Sequence, residues 1–155
     1  MSDVADLGEQ YCHFFDEDEF EATERPGFRR RVITGDALQL CFWRIDGGAS
    51  GSYLHRHDAH EQLGIVMRGA LDFRIGDPGS ASRQVLRAGE VYLAPVSVWH
   101  GDSTFIGDDE LGECWILDVF SPPRDDLREA RAEPDVVRLE TPSPTNGATT
   151  CPPPT

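Results

Sequence analysis

The chain has 155 residues, of which 28 are acidic and 14 are basic, which gives a formal net charge of −14. This length predicts one domain, and a charge of that size and sign argues against a nucleic-acid partner or an anionic membrane surface. Every basic residue is arginine, so Schiff-base chemistry and pyridoxal phosphate attachment, which need lysine, are excluded.

Hydropathy and the N-terminal sequence predict the cellular location of the protein. No run of about 18 apolar residues is present, so no membrane span is expected. The N-terminus lacks the basic-then-apolar pattern of a secretory signal. We therefore expect a cytoplasmic protein.

Residues 1–25 are strongly acidic. Residues 16–19 read Asp-Glu-Asp-Glu, and Glu21 and Glu24 follow. Because neighbouring carboxylates would repel one another in a compact element, we expect residues 1–25 to form a loosely held arm that is partly disordered. One short ordered piece is expected around residues 11–15.

From residue 28 to residue 120 the chain alternates between short apolar runs and turns rich in Gly and Pro. The runs contain many branched and aromatic residues and show no helical periodicity, so they predict eight or nine short strands. The clearest are residues 28–33, 37–45, 62–67, 70–75, 84–86, 91–94, 99–104 and 112–120. Many short strands with tight turns are typical of an antiparallel sandwich or barrel, and the predicted fold class is therefore all-β.

The C-terminal part of the chain is predicted to lie outside that barrel. Residues 125–132 can form one short helix, so the barrel domain is placed over residues 26–132. Residues 133–155 end in a Pro- and Thr-rich sequence that cannot bury a core, and they are predicted to be a disordered tail.

Three of the five histidines fall between residues 55 and 62. His55 and His57 are two residues apart, so on a strand they would project from the same face. Two imidazoles on one face can chelate a transition metal, provided that a second segment supplies the remaining ligands.

Asp118 interrupts an apolar strand near the end of the predicted barrel. On alternation it shares a face with Ile116 and Phe120. A carboxylate on an interior face is costly unless it is paired or used. It is either an edge-strand residue bonded to Arg124, or a general acid or base near the metal that Arg124 orients or pairs with.

A second segment places a histidine at a defined distance from a glycine and a proline. The signature of the cupin superfamily contains His-x-His, a Glu or Gln and a Gly, followed by a second part with Gly, Pro, Gly and His. This sequence resembles it at His55, His57, Gln62, Gly69, Gly89, Pro95 and His100. It departs from it at turns, where Ala49, Ser97 and Thr104 stand in place of the usual Gly, Gly and Asn.

The resemblance implies a jelly-roll barrel, the cupin double-stranded β-helix, with one divalent transition metal inside. The implied ligands are His55, His57, Gln62 and His100. Glu61 competes with Gln62 for the fourth position, although the spacing to Gly69 favours Gln62. The ligand types suit Fe, Ni, Mn, Zn or Cu, and no other cofactor is expected.

Two further histidines are not assigned as ligands. His60 is expected to support the site from behind the ligands. His13 lies in the acidic arm and is expected to be inert.

The sequence Leu-Asp-Val-Phe-Ser-Pro-Pro-Arg over residues 117–124 narrows the resemblance. Together with the histidine stretch, it is similar to the KdgF-like cupins, pectin-degradation proteins that convert 4,5-unsaturated galacturonate and a related alginate-derived sugar to the linear keto form. This implies that Asp118 moves protons, that Arg124 receives the sugar carboxylate, and that Phe120 forms a wall of the site. The expected function is a metal-dependent lyase, hydratase or isomerase acting on a small oxygenated substrate.

Two alternatives stay open. The first is an Fe(II) dioxygenase or a polyketide cyclase of bacterial secondary metabolism, with Trp43, Trp99, Trp115 and Phe120 available to stack on an aromatic substrate. The second is a non-catalytic cupin that binds a metal and a ligand. By analogy with the superfamily, a homodimer is expected in each case.

Overall fold

A computed structural model describes residues 12, 13, 15–49, 51–80, 82–128 and 137–138. A 3₁₀ helix covers Glu17–Glu19, and a short helix, α1, covers Asp125–Arg128. The strands are β1 (Glu21–Ala22), β2 (Phe28–Thr34), β3 (Gln39–Asp46), β4 (His55–Arg56), β5 (Glu61–Arg68), β6 (Ala70–Ile75), β7 (Ser82–Arg87), β8 (Val91–Ala94), β9 (His100–Ile106), β10 (Glu113–Ser121) and β11 (Val137–Arg138).

The strands form two antiparallel sheets. The larger sheet has the order β1-β2-β3-β10-β5-β8, and the smaller has the order β11-β4-β9-β6-β7. The predicted all-β jelly-roll fold is thereby confirmed, and each of the eight clearest predicted strands is present. Three two-residue strands, β1, β4 and β11, were not predicted, because two residues are too short to show a period. Helix α1 matches the start of the predicted helix, and residues 129–132 lie outside the described part of the chain.

The core lies between the two sheets. Alternate residues of β10 are buried, as the period of a strand requires, so that Ile116, Asp118 and Phe120 point inward together. The buried apolar side chains that form the main cluster are Phe28, Ile45, Val66, Leu71, Phe73, Phe105, Cys114 and Ile116. Six of these apolar residues line one interior cavity together with polar side chains that also point inward, among them Gln62, His100 and Asp118.

The described part of the acidic arm differs from the expected loose segment. Residues 15–25 lie against the larger sheet, with the ring of Phe15 stacked on Trp115 at a centroid distance of 4.8 Å. The acidic run tolerates this position because arginines of the sheet face it; the carboxylate of Glu19, for example, lies 3.4 Å from the guanidinium of Arg31. The division of the chain into an arm, a barrel and a tail stays a prediction.

The predicted tail over residues 133–155 lies outside the described residues, except for β11. Val137 and Arg138 pair with Arg56 and His55 of β4, so this short strand extends the smaller sheet next to the histidine stretch. Among the helices that the structure describes, none combines the length and the apolar character needed to cross a membrane.

Candidate metal centre

The sheets bring three histidines together. His55 on β4 is the cross-strand partner of His100 on β9, and their ring centroids are 4.5 Å apart. His57 follows directly after β4, with its ring centroid 5.2 Å from that of His55 and 5.3 Å from that of His100. One ligand nitrogen from each of the three rings lies within 4.8 Å of the others. Two segments that lie far apart in sequence, residues 55–57 and residue 100, therefore present one cluster.

The fourth predicted ligand comes from the opposite sheet. Gln62, at the start of β5, points its Oε1 at the Nε2 atoms of His57 and His100, at 2.9 Å from each. Gln62 is buried, whereas Glu61 is exposed. Because adjacent residues of a strand project to opposite faces, only one of the two can reach the interior, and the register places Gln62 there.

The hydrogen bonds around the histidines show that these residues fit a cation. The Nδ1 of His100 lies 3.0 Å from the carbonyl oxygen of Val98, so Nδ1 carries the proton and donates it there. Burial, together with the neighbouring His55, lowers the pKa of His100 to about 3, so its ring is neutral and its Nε2 presents a lone pair. That lone pair faces the lone pairs of Gln62 Oε1, an arrangement that is repulsive unless a cation lies between the two atoms.

His55 is oriented in the same way. Its Nδ1 lies 2.8 Å from the carbonyl oxygen of Tyr53, which leaves Nε2 to face the cluster. Backbone acceptors behind ligating imidazoles are the usual means of holding the metal-binding tautomer. The donor set of imidazole nitrogens and a carboxamide oxygen therefore suits a divalent transition metal.

The two remaining described histidines lie outside the cluster. His60 is buried, its ring centroid is 6.2 Å from that of His57, and its Nδ1 is 2.8 Å from the carbonyl oxygen of Pro122. This hydrogen bond connects the histidine stretch to the segment after β10. It agrees with the expectation that His60 supports the site without being a ligand. His13 is exposed and is not among the residues that line the interior cavity.

Asp118 lies inside the barrel, next to this cluster. Its Oδ2 accepts a hydrogen bond from Trp43 Nε1 at 3.1 Å, and its Oδ1 accepts one from the hydroxyl of Tyr92 at 3.2 Å. Burial raises the pKa of Asp118 to about 6, although hydrogen bonds from its neighbours, first among them Gln62, oppose that shift. A carboxyl group with such a pKa can both give and take a proton near neutral pH.

Arg124 is held beside Phe120, and its charge is already paired. Its guanidinium lies 4.8 Å from the centroid of the Phe120 ring, and it donates to Asp126 through Nε at 3.0 Å and Nη2 at 2.6 Å. Asp126, two residues further along, takes both of these bonds, while the charge of Arg124 opposes the rise in the pKa of Asp118. Nη1 of Arg124 takes no part in the pair with Asp126.

The predicted residues share one cavity of about 150 Å³. Phe120 and Arg124 line it together with Asp118 and with three of the four predicted ligands, His55, Gln62 and His100. The cavity is smaller than the roughly 300–1,000 Å³ that is usual for drug-sized ligands, so it suits a small substrate.

Four polar residues that line the cavity were not singled out from the sequence: Arg25, Ser52, Tyr92 and Ser103. The sequence could have indicated Tyr92, because it lies two residues before Ala94 on a predicted strand within the second cupin motif. Residues two apart on a strand project from the same face. Arg25 lies in the segment that was read as a loose arm, and its guanidinium lies 4.1 Å from the Phe28 ring centroid and donates to the carbonyl oxygen of Gly51 at 2.7 Å. Its position depends on contacts with distant segments, which the sequence does not show.

Comparisons with known proteins agree with this geometry. A family model described as "Cupin domain" matches residues 41–110. The structure of KdgF from Halomonas sp. is 30% identical over 74% of this chain and 99% of that chain, with a TM-score of 0.61. An RmlC-like cupin from Shewanella frigidimarina NCIMB 400 is 27% identical over 75% of this chain and 96% of that one, with a TM-score of 0.56.

More distant similarities concern the fold alone. Oxalate decarboxylase from Bacillus subtilis is 17% identical over 81% of this chain and 31% of that chain, with a TM-score of 0.60. A comparison with curated proteins finds no match.

Proposed function

The chain belongs to the cupin superfamily as a KdgF-like member, and from this premise we propose that it is a metal-dependent lyase, hydratase or isomerase. Its proposed substrate is a small 4,5-unsaturated uronate, which it would convert to the linear keto form. The observation that carries the proposal is the position of Asp118. A carboxyl group with a pKa of about 6 lines the same small cavity as three converging histidines and Gln62.

The proposed reaction needs a base and an acid beside a polarised oxygen. Water adds across the enol ether, so one proton must leave the attacking water and one must reach carbon 4, before the ring opens to the ketone. When bound, a divalent metal with uncharged ligands would supply Lewis acidity toward a hydroxyl or carbonyl oxygen. Asp118 would take the proton from water and return it to carbon 4, while Phe120 limits the space beside the ring.

The substrate carboxylate must be received locally, because the net charge of −14 opposes an anion. We assign this role to Arg124, which lines the cavity and whose Nη1 takes no part in the pair with Asp126. Replacing Arg124 with glutamine is expected to raise KM about tenfold with a smaller effect on kcat. Tenfold is the low end of what a hydrogen bond to a charged group contributes, since Asp126 already shares the charge. Steady-state kinetics on the metal-loaded protein measures both constants.

Two further arginine variants make this measurement specific. Arg83→Gln changes an arginine that binds Asp72 and Asp102 on the outside of the smaller sheet, and it should leave KM unchanged. Arg25→Gln tests the other cationic side chain of the cavity. A larger rise in KM for this variant than for Arg124→Gln would show that the carboxylate lies at the Arg25 end of the cavity instead.

The activity itself is tested with purified protein loaded separately with Fe²⁺, Ni²⁺, Mn²⁺, Zn²⁺ or Cu²⁺. We expect the ultraviolet absorbance of the unsaturated monouronate to fall faster than in buffer with at least one of these metals. Elemental analysis of the protein as purified identifies which metal it carries. If no metal-loaded form accelerates the loss of absorbance, the uronate is not the substrate.

An Fe(II) dioxygenase or polyketide cyclase with an aromatic substrate is the second candidate. It draws on Trp43 and Phe120, which line the cavity and could contact a planar ligand. The small volume disfavours a multi-ring substrate. Trp115 packs under Phe15 on the outside of the larger sheet, and Trp99 lies under the guanidinium of Arg56, so neither supplies a wall of the cavity. Oxygen uptake with Fe²⁺ would support this candidate, and turnover under strict anaerobiosis would exclude the oxygenase.

The remaining expectations from the sequence stay predictions. These are a cytoplasmic location and a homodimer, and size measurement in solution tests the second. The non-catalytic binding module is tested by the Asp118 variant considered in the Discussion.

A further inference from the structure

Tyr92 joins the metal centre to Asp118. Its hydroxyl accepts a hydrogen bond from Nε2 of Gln62 at 2.8 Å and donates one to Oδ1 of Asp118 at 3.2 Å. A phenol hydroxyl has one proton to donate and lone pairs with which to accept, so both bonds can form together. Gln62, Tyr92 and Asp118 are therefore hydrogen-bonded to one another, and Gln62 connects them to the histidines.

The donors and acceptors in these hydrogen bonds are fixed by the chemistry of the groups. The indole of Trp43 can only donate, and a carboxylate can only accept, so Asp118 receives from Trp43 on one oxygen and needs a donor on the other. The hydroxyl of Tyr92 is that donor. Since its single proton is used there, its oxygen must accept from Gln62, which then has to present its NH₂ group to Tyr92.

This assignment of donors and acceptors determines which atom of the Gln62 carboxamide faces the histidines. The oxygen and the nitrogen of a carboxamide have nearly the same shape, so the side chain can be turned either way at little steric cost. Turned the other way, the NH₂ group would donate to the lone pairs of His57 and His100 and would satisfy them without a metal. With NH₂ held by Tyr92 and also bonded to Asp118, Oε1 is the atom that faces the rings.

The ring of Tyr92 occupies space that is open because its cross-strand neighbour has no side chain. Gly64 is the cross-strand partner of Tyr92, and a Cβ at Gly64 would lie 2.1 Å from Cε1 of the tyrosine ring. The ring of Phe73 packs on Tyr92 at a centroid distance of 4.8 Å. The hydroxyl thus has a defined position between Gln62 and Asp118.

We propose that Tyr92 is a positioning residue that fixes the orientation of the Gln62 carboxamide and so keeps its oxygen turned toward the metal. The role rests on the metal site of the proposed function, but it does not depend on which substrate the protein converts. Tyr92 acts through Gln62 and Asp118.

The test is the affinity for Co²⁺, a probe whose visible spectrum reports the number and kind of its ligands. Tyr92→Phe keeps the ring and removes one of the two acceptors of the Gln62 amide, the other being Asp118, so the preference for turning NH₂ away from the histidines becomes weaker. We expect Co²⁺ affinity to fall about tenfold, the lower end of the effect of losing an outer contact behind a ligand, with a changed spectrum. The wild-type protein and the variant are titrated under the same conditions.

A rescue variant separates orientation from packing. In Gln62→Glu both ligand atoms are oxygens, so no orientation has to be chosen. Tyr92→Phe is therefore expected to cause a smaller loss of Co²⁺ affinity when it is added to Gln62→Glu than when it is made in the wild-type protein. An equal loss in both backgrounds would show that Tyr92 acts through packing alone and would overturn the proposal.

Asp118→Asn provides a second route if Tyr92→Phe does not fold. The indole of Trp43 still needs an acceptor, so the new amide turns its NH₂ toward Tyr92, which then donates to Gln62 instead. We expect Co²⁺ affinity to fall about tenfold for this variant also. Wild-type affinity in every folded variant overturns the positioning role. A wild-type protein that binds Co²⁺ but leaves the uronate unchanged overturns only the proposed reaction.

Discussion

Replacing His100 with alanine is expected to lower metal affinity by more than about 100-fold. Losing a contact behind a ligand typically costs 10–100-fold in metal affinity, and the loss of a ligand should exceed that. His100 is buried, and its Nε2 points at the cluster, so alanine removes one ligand from the interior and supplies none. Turnover should disappear together with the metal. Elemental analysis after dialysis and titration with Co²⁺ measure the change.

His13→Ala is the matched control. It makes the same chemical change at an exposed histidine outside the cavity, and it should retain metal and activity. Thermal unfolding of both variants without metal shows whether the fold is intact. A folded His100→Ala protein that still holds one equivalent of metal tightly would place the metal somewhere other than among His55, His57, Gln62 and His100.

Replacing Asp118 with asparagine is expected to reduce kcat by about 10²–10⁴-fold, the usual contribution of a general acid or base. Asparagine has nearly the same shape but cannot exchange a proton, so the cavity keeps its volume. The variant should also bind metal less tightly, because the direction of the bonds through Tyr92 is reversed. Turnover is therefore compared at metal concentrations that saturate both proteins.

Asp72→Asn makes the same change at a carboxylate that pairs with Arg83 on the surface, and it should leave turnover unaltered. Substrate binding to the metal-saturated Asp118→Asn protein separates an enzyme from a binding module. An enzyme should bind the uronate and fail to convert it. Unchanged turnover in this variant would exclude Asp118 as the group that moves protons.

The position of Asp118 could be predicted from the sequence because alternation is a local property. A carboxylate between Ile116 and Phe120 must share their face, whatever the strand pairs with. Its partners could not be predicted in this way. Trp43 and Tyr92 come from strands 75 and 26 residues away in sequence, and only the register of β3, β10, β5 and β8 brings them to the carboxylate.

Arg124 and the acidic arm show the same limit. Whether Arg124 pairs with Asp118 or Asp126 depends on where the segment after β10 turns, and that segment is held by distant contacts such as those with Gln39. The acidic run was expected to be loose because its own charges repel. Arginines of strands that follow it in sequence compensate that repulsion, so the run can lie on the sheet.

The sequence by itself determined the all-β class, the clearest strands, the superfamily and the set of candidate ligands. These follow from periodicity within single strands and from motif spacing, both of which are local. The tertiary structure alone decided that Asp126 pairs with Arg124 and that Tyr92 lies between Gln62 and Asp118, whereas for Gln62 over Glu61 the strand register agrees with the motif spacing. Those outcomes depend on which atoms of different strands come within hydrogen-bonding distance, and strand register across two sheets sets that distance.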